Sequence, residues 1–186
     1  MNKKAIGIFD SGVGGLTVFE EIRKELPNEN VIYLGDTKNF PYGNKTKEEI
    51  IEFATKNTEM LIKMGAKIIV IACGTATSQA IDVLKQKFSI PIIGIIEPTV
   101  EYIKEQNYKD VGVIATEGTI RSGAWEQKLK EKNVPFIEFY NAVDFKSDLK
   151  DETKNRIESA LNDMGILNAI IIPKEYRKSS CIGQQL

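Results

Sequence analysis

Histidine is missing from all 186 residues of the chain. Its absence excludes a Ser-His or Cys-His catalytic pair and any metal site built on imidazole. Cysteine is nearly as scarce: the two, Cys73 and Cys181, stand far apart and form neither a disulfide framework nor a zinc-ligand spacing. Neither sign of charge is in excess, with 25 Lys and Arg against 26 Asp and Glu, so no overall field recommends nucleic acid or an anionic membrane as partner. Met1-Asn2-Lys3-Lys4 leads into an apolar segment too short for the core of a secretory signal, and a reducing cytoplasm is the expected setting. What is present, 42% hydrophobic and 27% charged residues, is the composition of an ordinary soluble globular protein with one good core or two small lobes.

The chain is organised around Ala66-Lys67-Ile68-Ile69-Val70-Ile71-Ala72-Cys73-Gly74-Thr75-Ala76-Thr77-Ser78-Gln79-Ala80. The branched apolar run is short and does not alternate, which predicts a strand buried on both faces. Past Thr75, Ala76, Ala80, Val83 and Leu84 recur at helical spacing, so Cys73 falls in a strand-to-helix turn. Open parallel sheets bind their ligands at that edge. A helix N-terminus favours a thiolate, and Gly74, Thr75, Thr77 and Ser78 supply close backbone approach and hydroxyl donors for a small anion. The plainer alternative is that Cys73 is a small, inert apolar residue.

Upstream, residues 4–9 read as a strand, followed by Asp10-Ser11-Gly12-Val13-Gly14-Gly15 and a helix with Leu16, Phe19, Ile22 and Leu26 on its apolar stripe. The glycines lack the third position of the dinucleotide fingerprint, and no Gly-Lys-Ser/Thr follows. They serve instead to let the backbone approach a small ligand, with Asp10 and Ser11 on the same rim as Cys73. Residues 31–34 form the second strand, and a turn-rich loop with Pro41-Tyr42-Gly43 follows, which also reads as a plain turn with an anchoring aromatic. Thr46 and Glu49 form a capping box opening a helix with Ile50, Phe53, Ala54, Leu61 and Met64 on its inner face, and Gly65 closes it.

After a strand over 91–96, Glu97-Pro98-Thr99 breaks the pattern and marks a lobe boundary. Residues 111–119 then restate the Gly-interrupted strand and polar turn of residues 6–12. A helix carrying Ile120, Trp125 and Leu129, a strand over 136–139, a helix over 150–164 and a strand over 168–174 complete a second series. The fold expected is α/β, with two pseudo-symmetric lobes of parallel sheet flanked by helices and a cleft between them. The first lobe covers 1–97, an incomplete second lobe covers 98–174, and 175–186 is an irregular tail.

Five ordered motifs carry a family resemblance: Phe9-Asp10-Ser11-Gly12-Val13-Gly14-Gly15-Leu16; Gly35-Asp36-Thr37 with Pro41-Tyr42-Gly43; Ala72-Cys73-Gly74-Thr75-Ala76-Thr77; Gly94-Ile95-Ile96-Glu97-Pro98; and Ala115-Thr116-Glu117-Gly118-Thr119-Ile120-Arg121-Ser122. Through Tyr140 the chain resembles, in register, the glutamate racemases of the aspartate/glutamate racemase family. The resemblance implies two α/β lobes and a cytoplasmic isomerase that needs no cofactor and no metal and supplies D-glutamate for bacterial peptidoglycan. It implies glutamate as the partner, neither nucleic acid nor membrane, and leaves a homodimer open. Carried over by position, it makes Cys73 one of two catalytic cysteines and puts Asp10, Ser11, Pro41, Tyr42, Gly43, Gly74, Thr75 and Thr119 around the substrate.

The chemistry accounts for these residue types. Inversion at Cα takes a weakly acidic proton from one face and returns one to the other, so two acid/base groups must flank the carbon. A thiolate and a thiol suit the task, with main-chain N–H groups at 12–15, 43 and 74–75 holding the carboxylates and Asp10 receiving or orienting the ammonium. The family has Asn where Gly74 stands, and its second motif, Gly-Cys-Thr-His, is replaced by Pro173-Lys174-Glu175-Tyr176. Lys174 therefore stands at the second cysteine's place and serves there if desolvation brings its pKa from about 10.4 to near neutrality. The family's chain also continues further, so a truncated or diverged member is expected. A one-thiol decarboxylase-like enzyme and a non-catalytic carboxylate-binding remnant are the alternatives.

Overall fold

The computed structural model describes residues 4–106, 108, 111–134, 136–138 and 170–173. In chain order the elements are β1 (Ala5–Asp10), α1 (Leu16–Glu25), β2 (Asn30–Gly35), a 3-10 turn (Tyr42–Asn44), α2 (Lys47–Lys63), β3 (Ala66–Ile71), α3 (Gly74–Lys87) and β4 (Ile92–Gly94). They continue with α4 (Ile96–Glu105), β5 (Val111–Ile114), α5 (Glu117–Arg121), α6 (Ala124–Glu131), β6 (Phe136–Glu138) and β7 (Ile170–Pro173). The chain divides into two compact units, Met1–Pro98 and Thr99–Leu186.

The first unit is a parallel four-stranded sheet in the order β2-β1-β3-β4. Every residue of β1 is buried, as its apolar sequence and central place require. On one face α2 and α3 pack Ile50, Ala54, Leu61, Ala76, Ala80 and Leu84 onto Phe9, Ile69 and Ile71. On the other, α1 lays Val18, Phe19 and Ile22 against Ile6, Ile8 and Ala72. The expectation that β3 is buried on both faces is corrected: Ile69 and Ile71 are buried, whereas Ile68 and Val70 are only partly covered. Among the described residues a single helix lies over that face, and it leaves Leu16 and Leu26 of its own stripe 41% and 46% exposed.

α2 shows why local signals are reliable at helix ends. The Thr46 hydroxyl accepts the Glu49 N–H at 3.2 Å while the Glu49 carboxylate accepts the Thr46 N–H at 2.8 Å, completing the capping box. At the other end Gly65 takes φ +94°, a left-handed value that a side chain resists. The cap contributes about 1 kcal/mol, less than the roughly 1.5–3 kcal/mol from each buried Ile50 or Leu61. Packing therefore holds the helix in place, and Met64, expected inside, is exposed beyond its last turn.

α4 runs through Glu97-Pro98-Thr99, so the tripeptide does not break the secondary structure, although the two compact units divide within it. Pro98 lies in the first turn, where a helix asks for no N–H donor. In the second unit β5 lies between β6 and β7, the same internal order as β1 between β2 and β3. β6 pairs parallel but β7 pairs antiparallel, which corrects the expectation of a parallel second sheet. A branched apolar run specifies a strand, whereas its direction is set by the connection leading into it. The single helix expected to carry Ile120, Trp125 and Leu129 is two, α5 and α6, divided at Gly123 with φ +67°. The expected helix over 150–164 and tail over 175–186 lie outside the described residues. Among the described residues no helix is long and apolar enough to cross a membrane.

Candidate active site

The strand order fixes where a ligand would sit. From β1 the chain crosses to β2 on one side, then returns past β1 to β3 on the other. The connections diverge between β1 and β3, and sheets of this kind bind ligands in the crevice outside the carboxyl ends at that point. Asp10 ends β1 there with Ser11 next to it, and Cys73 lies just past the end of β3. Two main-chain bonds align the ends: the Ala72 N–H donates to the Phe9 carbonyl at 2.8 Å, and the Asp36 N–H to the Asp10 carbonyl at 2.9 Å.

Asp10 is buried with its side chain folded back over the glycine loop. Its Oδ2 accepts the N–H groups of Gly12 at 3.2 Å and Gly15 at 3.1 Å. Two of the donors expected to hold a substrate carboxylate are therefore already engaged. The loop is packed tightly: a Cβ on Gly15 would stand 2.8 Å from the Cβ atoms of both Ala72 and Asp10, and one on Gly35 would stand 2.5 Å from the Gly12 carbonyl oxygen. The Tyr33 hydroxyl donates to that same carbonyl at 2.9 Å. Burial first, then the negative charges of Asp10 and Cys73, push the Tyr33 phenol up to about 12.

Cys73 caps α3, its sulfur accepting the Ala76 N–H at 3.4 Å, and its thiol donates to Ser11 Oγ at 3.5 Å. Burial and, after it, the charge of Asp10 push the thiol above its ordinary value, while Ser11 and the Ala76 N–H pull it down. The thiolate-favouring helix end expected from the sequence is thus present but outweighed, and the thiol form prevails at neutral pH. Thr77 and Ser78, expected as donors to an anion, are turned to the main chain, bonding the carbonyls of Ile71 at 3.2 Å and Thr75 at 3.0 Å. Gly74 opens α3, and Thr75 beside it is buried.

Tyr42 belongs to the same buried cluster as Cys73. It follows the cis Phe40-Pro41 peptide, with Pro41 exposed and Gly43 half-buried beside it. Its hydroxyl donates to Asp36 Oδ2 at 2.6 Å and accepts Asn57 Nδ2 at 3.1 Å. Burial, then Asp36, raise the phenol above its ordinary range, and the charge of Cys73 adds to the rise. Asp36 stood in one of the motifs of the resemblance but was given no role, and Asn57 and Asn39, which donates to both Asp36 oxygens at 3.0 Å, were not singled out in the sequence. The available signal was Asn57, an amide on the stripe otherwise formed by Ile50, Ala54 and Leu61. In the second unit Thr119 is buried, its N–H bonded to Thr116 Oγ1 at 3.3 Å and its hydroxyl 2.8 Å from the same atom. Lys174 and Cys181 lie outside the described residues.

Comparison with known proteins agrees with the motif resemblance. Residues 6–172 match the Asp/Glu/Hydantoin racemase family. The glutamate racemase of Bacillus cereus is 38% identical over 179 residues, covering 90% of this chain and 66% of that protein. The glutamate racemase of Corynebacterium diphtheriae is 50% identical over 128 residues, covering 68% of this chain and 48% of that protein. The crystal structure of Francisella tularensis glutamate racemase in complex with D-glutamate is similar at a TM-score of 0.67 and 38% identity, covering 74% of this chain and 53% of that one. The chain thus spans about half to two thirds of the length of these relatives. With the match extending across both units, the chain belongs to the Asp/Glu/Hydantoin racemase family.

Proposed function

We infer that this chain is a cofactor-independent glutamate racemase acting by thiol-based proton transfer at Cα. The observation that carries the reading is the Cys73–Ser11 pair, 3.5 Å apart beside buried Asp10 at the divergence of β1 and β3. To act as the base, Cys73 first releases its thiol proton to solvent; the Ser11 hydroxyl reverses its bond to donate to the thiolate, which then takes the α-proton and is a thiol again. Asp10 has Oδ2 committed to the glycine loop, which leaves Oδ1 for the substrate ammonium. Pairing with that cation removes the second cause of the raised thiol pKa, so binding and activation of the base are coupled. Main-chain N–H groups at Gly43 and Gly74 are assigned to the carboxylates. Lys174, standing where the family has its second cysteine, and Thr119 enter this reading through their positions in the family motifs alone, as the second acid/base group and a substrate-binding residue.

The D-glutamate complex of the Francisella tularensis relative supports an acidic amino acid as the ligand. The same reading extends to supply of D-glutamate for peptidoglycan in the cytoplasm and to a homodimer. Exchange of the α-proton of L- and D-glutamate in heavy water, followed by NMR together with optical rotation, tests it. Label entering both enantiomers with inversion is expected, and Cys73→Ala should abolish it. Exchange from one enantiomer without inversion makes the chain a one-base protein, and no exchange from either removes the enzyme. Glutamate that raises the melting temperature without exchange leaves a binding protein.

A further inference from the structure

Asp36 is a carboxylate served by three elements. Besides the Tyr42 hydroxyl and Asn39 of the loop, Asn57 reaches from α2 to Oδ2 at 3.4 Å. Its own N–H ties it to the Asp10 carbonyl at 2.9 Å. A buried tyrosine needs one acceptor, and a neutral one suffices. Here an anionic centre is assembled instead, without an ion-pair partner among the described residues, and it fixes the ring that shares a cluster with Cys73. Asn57 is placed on a helix stripe where an apolar residue would pack at less cost.

We propose that Asp36, with Asn57, is a positioning residue: it holds Tyr42, and with it the main chain of Pro41-Tyr42-Gly43, at a fixed place relative to Asp10 and Cys73. This rests on the glutamate-binding role given to that loop above. Asp36 touches neither the substrate nor the reacting proton in this scheme. Its loss therefore weakens glutamate binding and leaves the chemical step of bound substrate intact.

The test compares Asp36→Ala, Asp36→Asn, Asn57→Ala and Tyr42→Phe in the full chain, with L- and D-glutamate as the probes. A hydrogen bond to a charged group corresponds to roughly ten- to hundredfold in an equilibrium. Asp36→Ala is expected to raise KM by about that factor while kcat changes by less than about twofold. Asp36→Asn retains an acceptor for the Tyr42 hydroxyl, and Asn39 and Asn57 can turn their amides to match, so it should restore most of the affinity. Asp36→Ala and Tyr42→Phe should be non-additive, as groups in one network are.

Amide hydrogen exchange over 39–45, read by mass spectrometry, gives a readout independent of turnover. It should accelerate in Asp36→Ala while exchange in β1 and α2 stays unchanged. A fall in kcat at constant KM would put Asp36 in proton transfer and overturn the positioning role. Unchanged exchange over 39–45 would overturn it with or without activity. An unsubstituted chain that neither binds nor turns over glutamate, yet shows the loop response, would sink the racemase reading and keep Asp36 as the loop's clasp.

Discussion

Replacing Gly15 by alanine should destabilise the first unit through one steric event. The backbone there is right-handed helical, φ −66° and ψ −7°, so alanine is conformationally allowed and even lowers the entropy of the unfolded chain. That second effect stabilises by about 0.4–1 kcal/mol. Against it, the new Cβ meets Ala72 Cβ and Asp10 Cβ, each at 2.8 Å, where carbon atoms ordinarily rest at roughly 3.5–4.0 Å. Neither neighbour is a flexible side-chain end; both sit on strand ends held by ladder bonds. Overpacking of this kind costs about 1–3 kcal/mol, so the net loss is about 0–2.6 kcal/mol and about 1.3 kcal/mol at mid-range. For a unit of this size each 1 kcal/mol lowers the melting temperature by about 4–8 °C.

Gly14→Ala is the matched control, because its Cβ would find Asp10 Oδ2 at 3.7 Å, an ordinary contact. Melting followed by far-UV circular dichroism should show Gly15→Ala falling by several degrees and Gly14→Ala holding or rising slightly. Since relief of the clash separates Asp10 from Ala72, glutamate exchange in Gly15→Ala should drop further than stability at the assay temperature. A Gly15→Ala protein that melts at or above the unsubstituted chain, or a Gly14→Ala protein that falls as far, would refute the packing argument.

Thr46→Ala removes half of the capping box and should cost about 0.5–2 kcal/mol in urea unfolding, with the slope unchanged. The pH profile of Cys73 alkylation by iodoacetamide should have its midpoint above that of the same thiol in urea. Ser11→Ala should move it further up, because Ser11 pulls the thiol down. The raised pKa values also make stability fall in alkali: the folded state holds the proton more tightly, so the contribution is whole below the unfolded pKa. It is lost as pH rises through the folded value, between 10.0 and about 12 for Tyr33. Melting temperatures that stay flat across that range would count against the burial of these groups.

The features legible in the sequence are those set within a few residues. Thr46, Glu49 and Gly65 bounded α2 correctly because capping depends on local backbone geometry. The turn at Cys73 showed itself as a change of period. What a side chain bonds to across the fold was not legible. Thr77 and Ser78 look the same in sequence whether they face a ligand or, as here, the carbonyls of Ile71 and Thr75. The direction of β7 and the break at Gly123 likewise depend on connections and packing that an apolar pattern does not encode. The thiol at Cys73 was misjudged in sign, because the helix end is visible in the sequence and the depth of burial is not.

The residues that break ordinary rules gather at one end of the sheet. Asp10 is a buried carboxylate, Asn57 an amide on an apolar stripe, and Cys73 a thiol held above its usual pKa. A fold optimised only for stability would pair or remove such groups, since an unpaired buried charge costs several kcal/mol. Yet the ion pairs among the described residues engage neither Asp10 nor Asp36, and both carboxylates are satisfied by neutral N–H and O–H donors. Neutral donors solvate a carboxylate without cancelling its field, and the field of Asp10 adds to burial, the larger cause, in keeping the Cys73 proton in place. In the proposed reaction the balancing charge arrives with the ammonium of the amino acid. The thiol is then a better base with substrate bound than without it, so the site is matched to its occupied state rather than to the free protein.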